Sequence, residues 1–140
     1  MSKSLKTLSR IQKFKIDEQR KLLTEKMEEE DRIVISLQKL NIAYETEKEF
    51  TTQNPNLCDF GAYTKRYLEL RQSFEKSLEK VREEIERIRD IISDMFKEQK
   101  TFEIVERNRK DRERKELEQK EQKLLDEVGT NAYIKHHEET

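Results

Sequence analysis

Apart from the many carboxylates, hydroxyls and amines of this 140-residue sequence, three side chains carry a thiol or an imidazole, the groups best suited to metal ligation: Cys58, His136 and His137. The two histidines are adjacent, and neighbours on a chain point in different directions. No cysteine or carboxylate at ligand spacing completes a zinc site with them. Cys58 is alone, so it cannot close an internal disulfide, which fits a reducing compartment. It reads as a small apolar turn residue. The 31 Asp and Glu residues lie on stretches that form no pocket, so nothing moves their pKa values for catalysis. With only two glycines there is no glycine-rich loop to cradle a phosphate. The expectation is a protein with no catalytic residue, no cofactor and no metal.

The elements that carry these residues follow from composition. Hydrophobic residues make up 32% of the chain and charged ones 44%, against roughly 45–50% and 25% in ordinary globular chains. Little remains for a thick core, but a helical pair buries only one narrow stripe per helix. Disorder is the competing reading, yet it usually goes with large net charge and aperiodic apolar residues. Here the net charge is −1 and the apolar residues are periodic. Near-neutrality also argues against a nucleic-acid binder, which needs a basic face for phosphates. No run of about eighteen apolar residues predicts a membrane span. The first ten residues, MSKSLKTLSR, lack the apolar centre of a signal peptide.

The stretch Thr51–Gly61, TTQNPNLCDFG, holds the only proline and one of the two glycines. Pro55 cannot sit inside a helix, and it pushes Asn54 toward an extended conformation. Asp59 is placed to cap a new helix. The pattern therefore predicts two long helices folding back here, with Phe50, Leu57 and Phe60 plugging the tip. The expected fold is all-α, a long antiparallel two-helix coiled-coil hairpin in one domain. Helix one covers about 3–50, the turn 51–59, helix two about 60–128, and a loose tail 129–140 follows, with Gly129 ending the second helix.

Helix one shows a heptad column through Ile16, Leu23, Leu37 and Tyr44. Met27 and Val34 lie four beyond this register, Ile33 and Leu40 three beyond. Glu30 occupies a column position and is expected to meet a cation near Lys80 or Arg82. Leu5, Leu8 and Ile11 form a separate cluster. Helix two has a clearer seam: Tyr67, Phe74, Val81, Ile88, Met95 and Phe102, with Leu78, Ile85 and Ile92 beside it. From Glu106 to Lys123 fourteen of eighteen residues are charged. Mixed signs allow i,i+4 support, as between Glu116 and Lys120. Leu117, Leu124, Leu125 and Val128 hint at a last, weaker stripe. With the turn near Pro55, facing residues should have numbers summing to roughly 110, given the 1.5 Å rise per residue in both helices. Leu5 would then meet the Phe102–Val105 region, and helix two beyond about Val105 would project without a partner.

Two stretches carry a resemblance to a known family. Tyr67 to Arg82, YLELRQSFEKSLEKVR, and the run RNRKDRERKELEQKEQKLLDE resemble the same parts of the flagellar export protein family FliJ, related to the stalk proteins of type III secretion systems. The resemblance covers nearly the whole chain. It implies a non-enzymatic component of the bacterial type III export apparatus, serving flagellum biogenesis and motility. Such a protein is a rotary-stalk-like coiled coil, cytoplasmic and peripheral at the inner membrane face. It binds a hexameric export ATPase, couples it to the cytoplasmic part of the membrane export gate, and binds export chaperones. The family's gate contact maps onto Leu70, Phe74, Ser77 and Val81, although Phe74 and Val81 belong to the seam, and Ser77 is less apolar than a Leu or Ala there. The paired ends, Leu5, Leu8, Ile11, Phe102, Ile104 and Val105, hold more apolar side chains than one seam hides. They are the expected contact with the ATPase ring. The free chain is expected to be a monomer. The alternatives are a prefoldin-type holdase, weakened because the turn lacks a strand-forming run, and a homodimeric coiled-coil scaffold.

Overall fold

The computed structural model describes residues 2–56 and 59–138. They form an all-α helical hairpin of two helices, α1 (Ser2–Gln53) and α2 (Phe60–Glu138), with no strand among the described residues. α1 ends where the sequence demands. The N–H of Asn54 still donates to the carbonyls of Phe50 and Thr51, at 2.9 and 3.2 Å, and Pro55 follows with no N–H to continue the ladder. α2 begins on the expected cap, Asp59, whose Oδ1 accepts from the N–H of Ala62 at 3.2 Å. Gly61 has no positive φ and lies inside the first turn of α2, so the reversal does not depend on its freedom. Leu57 and Cys58 lie outside the described residues.

The chain divides into two compact units, Gln12–Phe96 and Met1–Ile11 with Lys97–Thr140. In the first, the α2 seam is as expected. Tyr67, Val81, Ile85 and Ile88 are buried, and Phe74, Leu78, Ile92 and Met95 are half-buried. Val81 is the most enclosed, at 2% exposure. Opposite them, Ile16 is buried, and Leu23, Leu37 and Tyr44 are half-buried. Of the companion positions expected in α1, those three residues on are filled along the column, and Val34, four beyond the register, is half-buried as well. Gln12 is buried there, and Gln19, Lys26, Ile33 and Leu40 are half-buried. Met27, expected in the seam, is exposed. Lys26 takes the inner place because its aliphatic stem covers apolar surface while Nζ reaches Glu84 at 2.8 Å. Glu30 meets Arg82 at 3.8 Å, so the register and the expected pairing both hold.

The tip is packed differently from the expectation. Phe50 is exposed. The plug is an aromatic stack: Tyr44 lies on Tyr67 with ring centroids 4.0 Å apart, and Phe60 and Tyr63 flank it at 5.6 and 6.1 Å. Stacked rings in this range add to their area burial. Tyr67 donates its hydroxyl to Asn41 Oδ1 at 2.6 Å, and the Tyr44 and Thr64 hydroxyls share a hydrogen bond of 3.3 Å.

In the second unit, Gln99 is buried and donates to Ser9 Oγ at 2.6 Å. Leu5, Phe102, Glu106 and Arg109 are half-buried, whereas all residues from 110 to 138 are exposed. Pairing thus runs a turn further than expected, on charged residues. The second helix does not stop at Val128, and residues 129–138 are not a loose tail. They are helical, and Gly129 has no positive φ. A helix-interior glycine costs only about 1 kcal/mol relative to alanine. Beyond it, the Tyr133 and His137 rings, at i,i+4, meet at a tilt of 34° with centroids 4.1 Å apart. Lys135, His136 and His137 occupy the last turn, where the lysine's positive charge complements the helix dipole.

The thin core sets a sharp contrast between positions. Ile85→Ala should cost about 2–5 kcal/mol, as buried large-to-small changes do. Ile42→Ala, on an exposed side chain, should stay within about 0.5 kcal/mol. Urea unfolding followed by circular dichroism at 222 nm measures both.

Candidate interaction surfaces

The surface that holds Leu70 lies within the unit Gln12–Phe96. Two columns of α2 run side by side there. Phe74 and Val81 point into the seam, and Val81 is enclosed enough to be closed to any partner while the seam stands. Leu70 and Ser77 point outward, Leu70 at 48% exposure. Of the four residues mapped to a gate contact, then, only Leu70 and Ser77 present themselves fully, with Phe74 half-available. Leu70 also edges a shallow concavity of about 310 Å³ that it shares with Leu40, Tyr63, Arg66 and Tyr67. Sequence reasoning did not single out Tyr63 and Arg66. The available signal was spacing: Tyr63 precedes Tyr67 by one helical turn, so the two rings share a face. A broader concavity of about 750 Å³, lined by Leu78 and six charged residues of α2 between Glu75 and Arg87, is an open, solvated surface.

The surface expected to meet an ATPase ring lies in the other unit. Leu8, Ile11, Ile104 and Val105 are exposed, and Leu5 and Phe102 are half-buried. Both helices contribute, so four large apolar side chains face solvent where the first turns of α1 run beside the middle of α2. Among the described residues, no set of three His, Cys, Asp or Glu side chains converges as a metal site, and no helix is long and apolar enough to cross a membrane.

Electrostatics in both units rests on paired charges. The Lys26 ammonium, hydrogen-bonded to Glu84 and also to Glu29, is held above its ordinary pKa, and Glu84 is held below its own. In the other unit, Arg109 Nη2 lies 2.9 Å from Glu106 Oε1. That hydrogen bond depresses the Glu106 pKa, with a smaller pull from Lys6. No family model, no curated protein and no solved structure matches the chain.

A carboxylate depressed in the folded state stabilises the fold above its unfolded pKa. It loses that contribution as pH falls through the lower, folded value. Glu84 and Glu106 both have this sign. The urea midpoint should therefore hold from neutral pH to about pH 5 and drop as the medium is acidified below it, where ordinary carboxylates titrate. Glu84→Gln should flatten part of that drop and lower the midpoint at pH 7. A wild-type midpoint that does not move between pH 7 and pH 3 would rule the pairs out as contributors.

Proposed function

We propose that the chain is a non-enzymatic stalk of a type III protein export apparatus of the flagellar kind. In this reading the paired ends of α1 and α2 enter the pore of a hexameric export ATPase. The surface around Leu70 contacts the cytoplasmic part of the membrane export gate, with export chaperones as further partners. One observation carries the reading: the unit Met1–Ile11 with Lys97–Thr140 exposes Leu8, Ile11, Ile104 and Val105 and continues as a solvated, charge-rich helix. Exposed apolar side chains of this kind mark partner sites. A stiff helix with mixed charge suits a polar pore whose sockets change as ATP is hydrolysed, because no deep anchor is lost at each step. The YLELRQSFEKSLEKVR stretch adds the family resemblance.

The test separates the two surfaces. Leu8→Asp combined with Val105→Asp should abolish stimulation of a hexameric export ATPase and leave the far-ultraviolet circular dichroism unchanged. Leu70→Asp should keep stimulation but weaken binding to the gate's cytoplasmic part at least tenfold, measured by calorimetry. Full stimulation by the double variant would refute ring entry by this end. Loss of helicity in Leu70→Asp would move that residue into the core.

A further inference from the structure

The first turns of α1 carry a charge unlike that of the rest of the chain. Residues 2–16 hold five cations, Lys3, Lys6, Arg10, Lys13 and Lys15, and no carboxylate, in a protein whose net charge is −1. The other basic stretch, 107–115, is broken by Asp111 and Glu113. All five cations are exposed. Lys6 is near enough to Glu106 to pull on its carboxylate. Among the described residues, Lys3, Arg10, Lys13 and Lys15 have no ion-pair partner. The same turns expose three large apolar side chains: Leu8 at 47%, Ile11 at 46% and Phe14 at 63%. These recur at intervals of three, so they form one stripe along the helix. Lys3, Lys6, Arg10 and Lys13 recur at three and four and form a second stripe. With 3.6 residues per turn, Arg10 borders Phe14 on one side of the apolar stripe and Lys15 borders Ile11 on the other. The remaining side of the helix, at Gln12 and Ile16, is buried.

A helix with cations beside a stripe of Leu, Ile and Phe can lie in the plane of a lipid surface. Its apolar side chains enter the boundary of the acyl chains, and its cations stay with the headgroups. We propose that this face of α1 binds the surface of an anionic lipid bilayer through Leu8, Ile11 and Phe14, with the five cations on acidic headgroups. Charge complementarity selects an anionic surface. Nucleic acid is anionic too, but its phosphates are met by Lys and Arg and offer three apolar side chains nothing to bury against. A protein groove takes an amphipathic helix by its apolar face, whereas here the largest apolar face is already spent on the seam and only a narrow strip remains, which a plane covers. The contact is adsorption, not a span, since among the described residues no helix is long and apolar enough to cross a membrane. The inference does not rest on the stalk reading. Leu8 and Ile11 serve in both, so lipid and ATPase ring would compete for them, while Phe14 belongs to the lipid contact alone.

Co-sedimentation of the full chain with vesicles tests it, using phosphatidylcholine alone and an equal mixture of phosphatidylcholine and phosphatidylglycerol. Partition onto the mixture should be at least about a hundredfold the stronger, since each cation near an anionic surface contributes about fivefold, and it should fall in about 1 M salt. Arg10→Gln with Lys13→Gln and Lys15→Gln should weaken it about a hundredfold by the same factor. Phe14→Gln should weaken it about tenfold, as loss of a buried aromatic side chain does, with the circular dichroism unchanged. The chain has no tryptophan, so Phe14→Trp reports from this one place. Its emission should shift to the blue on the anionic vesicles and be quenched by lipids brominated on their acyl chains, whereas Ile42→Trp, at an exposed position further along α1, should do neither. A chain that ignores the anionic vesicles, or binds both kinds alike, overturns the inference. So does binding that is indifferent to Phe14→Gln and equalled on soluble polyglutamate, which is ion exchange by a basic patch, and so does a Phe14→Trp emission that vesicles leave unmoved. No ATPase enters these measurements, so their failure leaves the stalk reading standing.

Discussion

The register between α1 and α2 is the constraint from which the rest follows. Among the described residues, five apolar side chains, Ile16, Tyr67, Val81, Ile85 and Ile88, are buried to the level of a core. At about 25 cal/mol per Å² of apolar surface, so narrow a stripe tolerates no slippage. A shift of one residue on either helix would turn part of it to water. The turn around Pro55 limits the choices, and the facing charges select among them. Lys26 with Glu84 and Glu30 with Arg82 are only partly shielded from solvent, and such pairs add little to stability. Their effect is on specificity, because a slipped seam would set like charges together.

The helices were legible in the sequence where the seam is apolar. All nine seam residues expected of α2 turn inward, because heptad spacing over Leu, Ile, Val and aromatic residues leaves one face only. Legibility failed where the seam is polar. In α1 the companion column three residues after the first begins Gln12, Gln19, Lys26 before it reaches Ile33 and Leu40, so apolar spacing marks only its second half. In α2 one column turns polar at Gln99 and both continue past Phe102, as Glu106 in one and Arg109 in the other. The chemistry of the seam changes there while its geometry does not. That is why the end of pairing was placed too early. Gly129 misled for a related reason: glycine marks a helix end only when a left-handed conformation is needed, and a helix continuing in solvent does not need one.

The surfaces were legible in part. Leu70 stood out as an apolar residue off the seam, and its exposure follows from that position. Val81 came from family likeness alone, and its seam position already argued against a surface role. The aromatic stack at the tip was hidden because Tyr44, Phe60, Tyr63 and Tyr67 come from both sides of the turn. Their meeting depends on the reversal geometry, which spacing within one helix does not reveal.

The two units differ in what holds their helices together, and that difference bears on dynamics. In Gln12–Phe96 the pairing is sealed by branched aliphatic and aromatic side chains. In Met1–Ile11 with Lys97–Thr140 no described apolar side chain is buried. The pairing there rests on the Gln99–Ser9 hydrogen bond, the half-buried Phe102 and Leu5, and charges near water. Hydrogen bonds and ion pairs return little net free energy when water can replace them. Local opening free energies span the range from near zero to the global value, and segments with few buried apolar contacts lie at the low end. Residues 2–11 are therefore the part of α1 that separates most readily from α2. A segment that opens at low cost can exchange its neighbour for another surface without unfolding the rest. An end that engages and releases a partner needs this property, and the seal over Val81, Ile85 and Ile88 confines the opening to that end.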